Sequence, residues 1–249
     1  MSEQADTAEV VNLGQRKLMP ITRETVNDKV YAELRRSLIQ GVFANGETLR
    51  IADLAEKFQT STMPVRDATS RLVSEQALEA LPNRSVRVPL ITRESLEDLS
   101  RVRCMIEGQV TLLAMAQLID TDFEKLRSLT RECEAAFAAT GPERIHTAIE
   151  LNYAFHNHIY RAAGSRVLIP VIESLWLQSG PYVRKAALMH DEKQDPAGTH
   201  HHWELIAALE CRDGVAAVAA LNRDITRSFN LIRAQLDSEE LEAKAANDA

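Results

Sequence analysis

Apolar residues recur at helical spacing through most of the chain. Val26, Val30, Leu34 and Leu38 repeat every four residues and predict a first helix from about Thr25 to Gln40, closed by Gly41. Asn45-Gly46 reads as a turn, with Leu49 packing ahead of a short second helix whose apolar positions are Ile51, Leu54, Ala55 and Phe58. Gln59-Thr60 form a polar break. Ser61 or Thr62 can accept a backbone N–H at the next helix start, where Pro64 fits because the first turn needs no N–H bond. Val65, Ala68, Leu72 and Val73 form the apolar stripe of this third helix, and Thr62, Arg66, Thr69 and Ser70 its polar face. The pair reads as a helix-turn-helix. Its second helix carries, near the N-terminus, the small and forked polar side chains that read base edges; an ordinary amphipathic helix has the same spacing.

Two short apolar runs, 77–81 and 86–89, flank Pro82-Asn83-Arg84-Ser85 and predict a β-hairpin with Arg84 near its tip. Helix, helix-turn-helix and hairpin together make a winged helix. The stretch from Val26 to Pro89 resembles the winged-helix domain of the GntR family of bacterial transcription regulators, through VYAELRRSLIQGVFANGETLR, LAEKF, MPVRDATSRLVSEQALE and PNRSVRV. Many members have Ser-Arg-Thr-Pro where this chain has Ser61-Thr62-Met63-Pro64, so a frequent arginine contact is absent. The residues left to meet DNA are Arg50, Ser61, Thr62, Met63, Val65, Arg66 and Arg71, with Asn83, Arg84 and Ser85 on the wing. Arg50 stands where a phosphate contact or plain solvation would both serve.

Pro89 to Thr92 marks a domain boundary, and Thr92 can cap the next helix. Beyond it the pattern is helical over roughly 92–119, 122–139, 143–163, 166–189, 198–211 and 214–236, broken by turn residues such as Thr140-Gly141-Pro142 and Asp195-Pro196-Ala197-Gly198. The expected fold is mainly α: a winged head over 21–90 and an all-α six-helix bundle over 91–237, between a mobile tail over 1–20 and a flexible charged tail over 238–249. The bundle resembles the FCD domain, the effector-binding and dimerisation domain of the FadR branch of the same family, through RVRCMIEGQ, LNYAFHNHIYRAAGS and HHWELIAALECRDGVAAVAALNRDI.

Polar residues interrupt apolar stripes in this bundle. Asn152 and His156 lie on one stripe with Ile149, Ile159 and Ala163; His202 shares a face with Leu205, Ile206 and Leu209; Asp224 lies between Leu221 and Ser228. Inward polar groups cost free energy unless satisfied, so these four meet one another, water, a metal or a ligand. Many FCD domains hold a divalent metal with an Asp or Asn and three histidines at these places. The resemblance therefore implies Asn152, His156, His202 and Asp224 as ligands for Zn²⁺, Ni²⁺ or Mn²⁺, with Asp224 where a histidine usually stands. A metal-free pocket or a hydrogen-bonded core uses the same residues. Arg103 and Glu107, spaced i, i+4, read as a helix-surface ion pair. The resemblance instead places Arg103 on the cavity, binding a carboxylate effector alongside Asn152, His156 and His202. Tyr153, Trp176, Tyr182 and Arg184 are pocket lining or packing.

The net charge of −7 runs against DNA binding until it is mapped. Residues 16–90 carry 12 Lys+Arg against 9 Asp+Glu, whereas 91–249 carry 17 against 24. The reading head is mildly basic, so non-specific DNA affinity is modest and salt-sensitive. Cys104, Cys133 and Cys211 fit neither a disulfide framework nor a CxxC metal site and read as small buried residues in a reducing cytoplasm. No signal peptide or membrane-length apolar run is found. The expectation is a cytoplasmic homodimeric regulator on a palindromic double-stranded operator, sensing a small organic acid and using no organic cofactor. It catalyses no reaction. The competing readings are a helical metalloenzyme with an appended DNA module, and a DNA-binding protein whose helical domain only dimerises.

Overall fold

In the computed structural model, residues 25–83, 85–141, 143–189 and 199–247 are described, together with the short strands β1 (Asn12–Leu13) and β2 (Arg16–Lys17), which pair antiparallel. Arg84, the expected break at 195–198 and most of the expected N-terminal tail lie outside the described residues.

The head opens with α1 (Val26–Ile39), started by a reciprocal cap in which the Thr25 hydroxyl accepts from the Asp28 N–H and the Asp28 carboxylate accepts from the Thr25 N–H. Gly41, at φ +62°, takes the left-handed conformation that lets the chain leave the helix. Then come β3 (Thr48–Arg50), α2 (Ile51–Lys57), α3 (Thr62–Ser74), β4 (Glu79–Leu81) and β5 (Ser85–Arg87). The expected hairpin is present, with β5 in the middle of a three-stranded antiparallel sheet in the order β3-β5-β4. β3 is the unexpected strand. The segment read only as a lead-in to α2 pairs Leu49 with Val86 and so ties the wing to the helices. Val30, Leu34, Leu38, Leu54, Val65, Leu72, Val86 and Val88 close the head's core.

The six expected helices of the bundle are α4 (Arg93–Met115), α5 (Asp120–Ala138), α6 (Arg144–Ala162), α7 (Leu168–Met189), α8 (His200–Glu210) and α9 (Gly214–Asn247). The Thr92 hydroxyl caps α4 through the Ser95 N–H. α9 does not stop near residue 236. It runs on through EELEAKAA, because Glu, Leu, Ala and Lys are strong helix formers. Cys133 is buried, Cys104 half-buried and Cys211 exposed, so the last departs from the expected burial; it caps the C-terminus of α8, where the chain turns out to solvent. Among the described residues, no helix is long and apolar enough to cross a membrane.

Head and bundle meet along α1 and α7. Leu177 of α7 belongs to the head's core, while its neighbour Trp176 is buried in the bundle's. Gly180 lets the two backbones touch: a Cβ there would lie 1.8 Å from the Leu38 carbonyl oxygen. Arg184 donates to the Gly41 carbonyl (2.7 Å), and Arg35 pairs with Glu173 (3.2 Å).

Candidate functional site

The exposed start of α3 is the candidate DNA-facing surface. Ser61, Thr62, Met63, Arg66 and Ser70 are all exposed there, as are Arg50 at the end of β3 and Asn83 in the wing turn, while Ser85 is half-buried. Ser61 occupies the N-cap position, yet its side chain makes no capping bond and stays available to a partner. Two expectations need correction. Val65 is fully buried in the head's core, so its side chain contributes packing and not a base contact. Thr69 is buried as well, because its hydroxyl is satisfied by the Val65 carbonyl (2.9 Å) and can turn inward at little cost. Arg71 is already engaged, its guanidinium 3.7 Å from the Tyr31 ring centre and 3.1 Å from Glu75.

The second constellation lies inside the bundle. α6 supplies Asn152 and His156, α8 supplies His202 and α9 supplies Asp224. His156 Nε2 lies 2.9 Å from one Asp224 oxygen, His202 Nε2 3.7 Å from the other, and His202 Nε2 3.1 Å from the Asn152 amide oxygen. His156, His202 and Asp224 each offer an atom, and these all fall within 4.8 Å of one another. A central ion with bonds of about 2.0–2.2 Å spaces its ligand atoms by roughly 3–3.5 Å, so only small shifts separate this arrangement from a coordination shell.

The charge states suit a cation. Burial pulls the His202 imidazole down to about 3, leaving it neutral with a lone pair to give. Burial alone would raise the Asp224 carboxyl, but the imidazoles of His202 and His156 outweigh it and hold the group below the usual carboxylate range. His202 stacks on Phe155 at 3.9 Å, and its Nδ1 is buried without a hydrogen-bond partner. Two imidazole nitrogens, one carboxylate and one amide oxygen form a donor set that fits Zn²⁺, Ni²⁺ or Mn²⁺.

Asn152, His156 and Asp224 face a cavity of about 50 Å³ bordered also by Arg103, Trp176 and Ser228, and His202 stands behind them, against Asn152 and Asp224. Arg103 does reach this cavity, but its guanidinium is held by Glu107, Nε to Oε1 at 2.7 Å, and lies 4.4 Å from the Trp176 ring centre. The surface-pair alternative is excluded, since Arg103 and Glu107 are 3% and 0% exposed. Burial opposes the Arg103 charge, and Glu107 more than offsets it, raising the guanidinium's pKa. The Trp176 indole N–H is buried with no acceptor.

The family model for bacterial regulatory proteins of the gntR family matches residues 26–88, and the FCD domain model matches residues 98–227. The chain is 30% identical over 204 residues to the HTH-type transcriptional regulator McbR of Escherichia coli K12, spanning 80% of this chain and 87% of that one. It belongs to the GntR family. The solved structure of E. coli McbR/YncC covers 86% of this chain and 100% of its own, with a TM-score of 0.79 at 25% identity. The HTH-type transcriptional repressor GlaR of E. coli K12 is 26% identical, over 82% of this chain and 94% of its own. This GntR-family chain is thus a DNA-binding transcriptional regulator, with the reading head and FCD domain that its sequence implied.

For a GntR-family chain, the remaining residues fall into place. His200 is exposed, His201 turns to Glu204 (2.9 Å) and His158 to Asp122 (2.9 Å), all away from the cavity ligands. Tyr182 donates to Ser95 and Arg184 to the head, so of the four lining candidates Trp176 reaches the cavity wall and Tyr153 packs edge-on against it. Tyr160 was missed. It stands one turn after His156 on the same face and is 1% exposed, with its hydroxyl on Glu107. Its i, i+4 spacing from His156 was the available signal.

Proposed function

We propose that this regulator binds a palindromic operator as a homodimer and releases or rearranges on it when the FCD cavity takes up a small carboxylate through a divalent metal. The exposed first turn of α3 supports the DNA half of this reading. One recognition helix reads only a few base pairs, so two-fold pairing with half-sites about one helical turn apart supplies a usable site. Arg66, with Thr62 and Met63 beside it, is the base-reading cation, and Asn83 and Ser85 place the wing on the backbone. Selection from a random duplex pool is expected to return a palindrome. On it, Arg66→Ala weakens binding by about 1–3 kcal/mol; an unchanged titration would remove Arg66 from the reading surface.

The convergence of His156, His202, Asp224 and Asn152 on one another carries the metal half of the reading. An ion held by these residues would supply a Lewis-acidic point for a carboxylate; Arg103 and the partnerless Trp176 N–H supply the rest of an acceptor-binding pocket. A metabolite bound there lies against one wall in particular. α7 forms that wall through Trp176, Val183 and Ala186, and α7 is the helix on which the head rests. The ligand thereby biases head position, a coupling between two sites. Elemental analysis of protein purified without chelator is expected to find about one ion per chain, lost in His156→Ala. Absence of metal in the wild type would leave a direct-binding pocket. Repression relieved by ligand is the expected direction, and a reporter assay with and without the cognate acid checks it.

A further inference from the structure

We propose that Tyr160 and Glu107 are positioning residues of the metal site, holding His156 with Nε2 toward the ion and joining that ligand to the Arg103 guanidinium. This rests on the reading of His156, His202, Asp224 and Asn152 as ligands. A carboxylate can only accept, so the 2.5 Å contact between the Tyr160 hydroxyl and Glu107 Oε2 commits the phenol proton to Glu107. The phenol oxygen keeps lone pairs, and His156 Nδ1 lies 3.4 Å away. With an ion taking the Nε2 lone pair, Nδ1 carries the ring proton and donates to that oxygen. That leaves Nε2 as the atom presented to Asp224 and the cavity, the arrangement in which an imidazole ligates through Nε2 with its other nitrogen anchored.

The rest of the chain of contacts runs to the opposite wall. The second Glu107 oxygen accepts from Arg103 Nε at 2.7 Å. Tyr160, Glu107, His156 and Arg103 are all 3% exposed or less, so water does not compete for these bonds. Glu107 is thus shared between the outer layer of a metal ligand and the cation that faces the incoming carboxylate. A ligand that pulls on Arg103 pulls on the anchor of His156.

The test is a Zn²⁺ titration against a chromophoric chelator, with visible spectra of the Co²⁺-loaded protein, for wild type, Tyr160→Phe and Tyr182→Phe. Tyr182→Phe is the control, because it removes a buried tyrosine hydroxyl that bonds to Ser95 (2.8 Å) away from the cavity. Tyr160→Phe is expected to keep one site per chain, to weaken Zn²⁺ by about 10–100-fold and to shift the Co²⁺ bands, while Tyr182→Phe leaves both unchanged. Equal affinity and equal spectra for Tyr160→Phe and wild type overturn the proposal, as does an equal loss in the control. If wild type binds neither ion, the metal reading itself fails, and the proposal with it, before any variant is compared. Should Tyr160→Phe not fold, long-range ¹H–¹⁵N spectra of the Zn²⁺-loaded wild type decide: a protonated, exchange-protected His156 Nδ1 supports the assignment, and ligation through Nδ1 overturns it.

Discussion

Glu107→Leu is expected to destabilise the helical domain by about 3–5 kcal/mol, the cost of leaving a buried charge without its partner. Arg103 cannot relieve the loss by deprotonating, since a guanidinium stays charged in proteins. Nor can it reach water easily, being enclosed by Trp176 and Phe229. The same substitution strips the Tyr160 hydroxyl of its acceptor. Urea denaturation should show a lower midpoint with little change in slope. The double variant Arg103→Met/Glu107→Leu is expected to recover most of the loss, because apolar side chains of similar volume need no counter-charge. A single-variant cost below about 1 kcal/mol would mean that water reaches the pair and screens it as it does a surface pair.

Gly180→Ala carries the second large effect, and its sign is the informative part. In an unconstrained helix interior, alanine in place of glycine stabilises by about 1 kcal/mol. At this crossing the new Cβ would sit 1.8 Å from the Leu38 carbonyl oxygen, a backbone atom that no rotamer change moves. α1 and α7 must separate, unseating Leu177 from the head's core and lengthening the Arg184 bond to Gly41. The expected result is a loss of about 1–3 kcal/mol, the usual penalty for overpacking, with a head that proteases release more readily. Thermal unfolding and limited proteolysis check both. A stabilised variant would show that the two helices do not touch at this point.

The head's helices were legible because their apolar residues repeat at the helical period and their ends carry recognisable caps. β3 was not, since Thr48–Arg50 is too short to show alternation and becomes a strand only by pairing with β5. Val65 and Thr69 show the limit of assigning faces from a short helix. α3 buries a wider arc than its aliphatic residues mark, and a threonine joins that arc once its hydroxyl bonds to its own backbone. In the bundle, Asn152, His156, His202 and Asp224 announced themselves by interrupting apolar stripes. Tyr160 interrupts nothing, because its ring belongs in a core and only its oxygen does otherwise. The Arg103–Glu107 spacing is the same on a wet surface and in a dry core. Only the helices packed over α4 decide which it is.

The position of Leu177 separates two boundaries that are easily equated. Along the chain, the head ends at Pro89; in packing, it ends on α7, almost ninety residues later, where one side chain of the bundle completes its core. A head cut at Pro89 and grafted onto another helical domain would carry an open socket where Leu177 belongs. Heads and sensing domains in such an architecture are therefore not freely exchangeable modules. A transplant has to bring the middle turns of α7, or a host helix that offers a leucine and a glycine at the same two places.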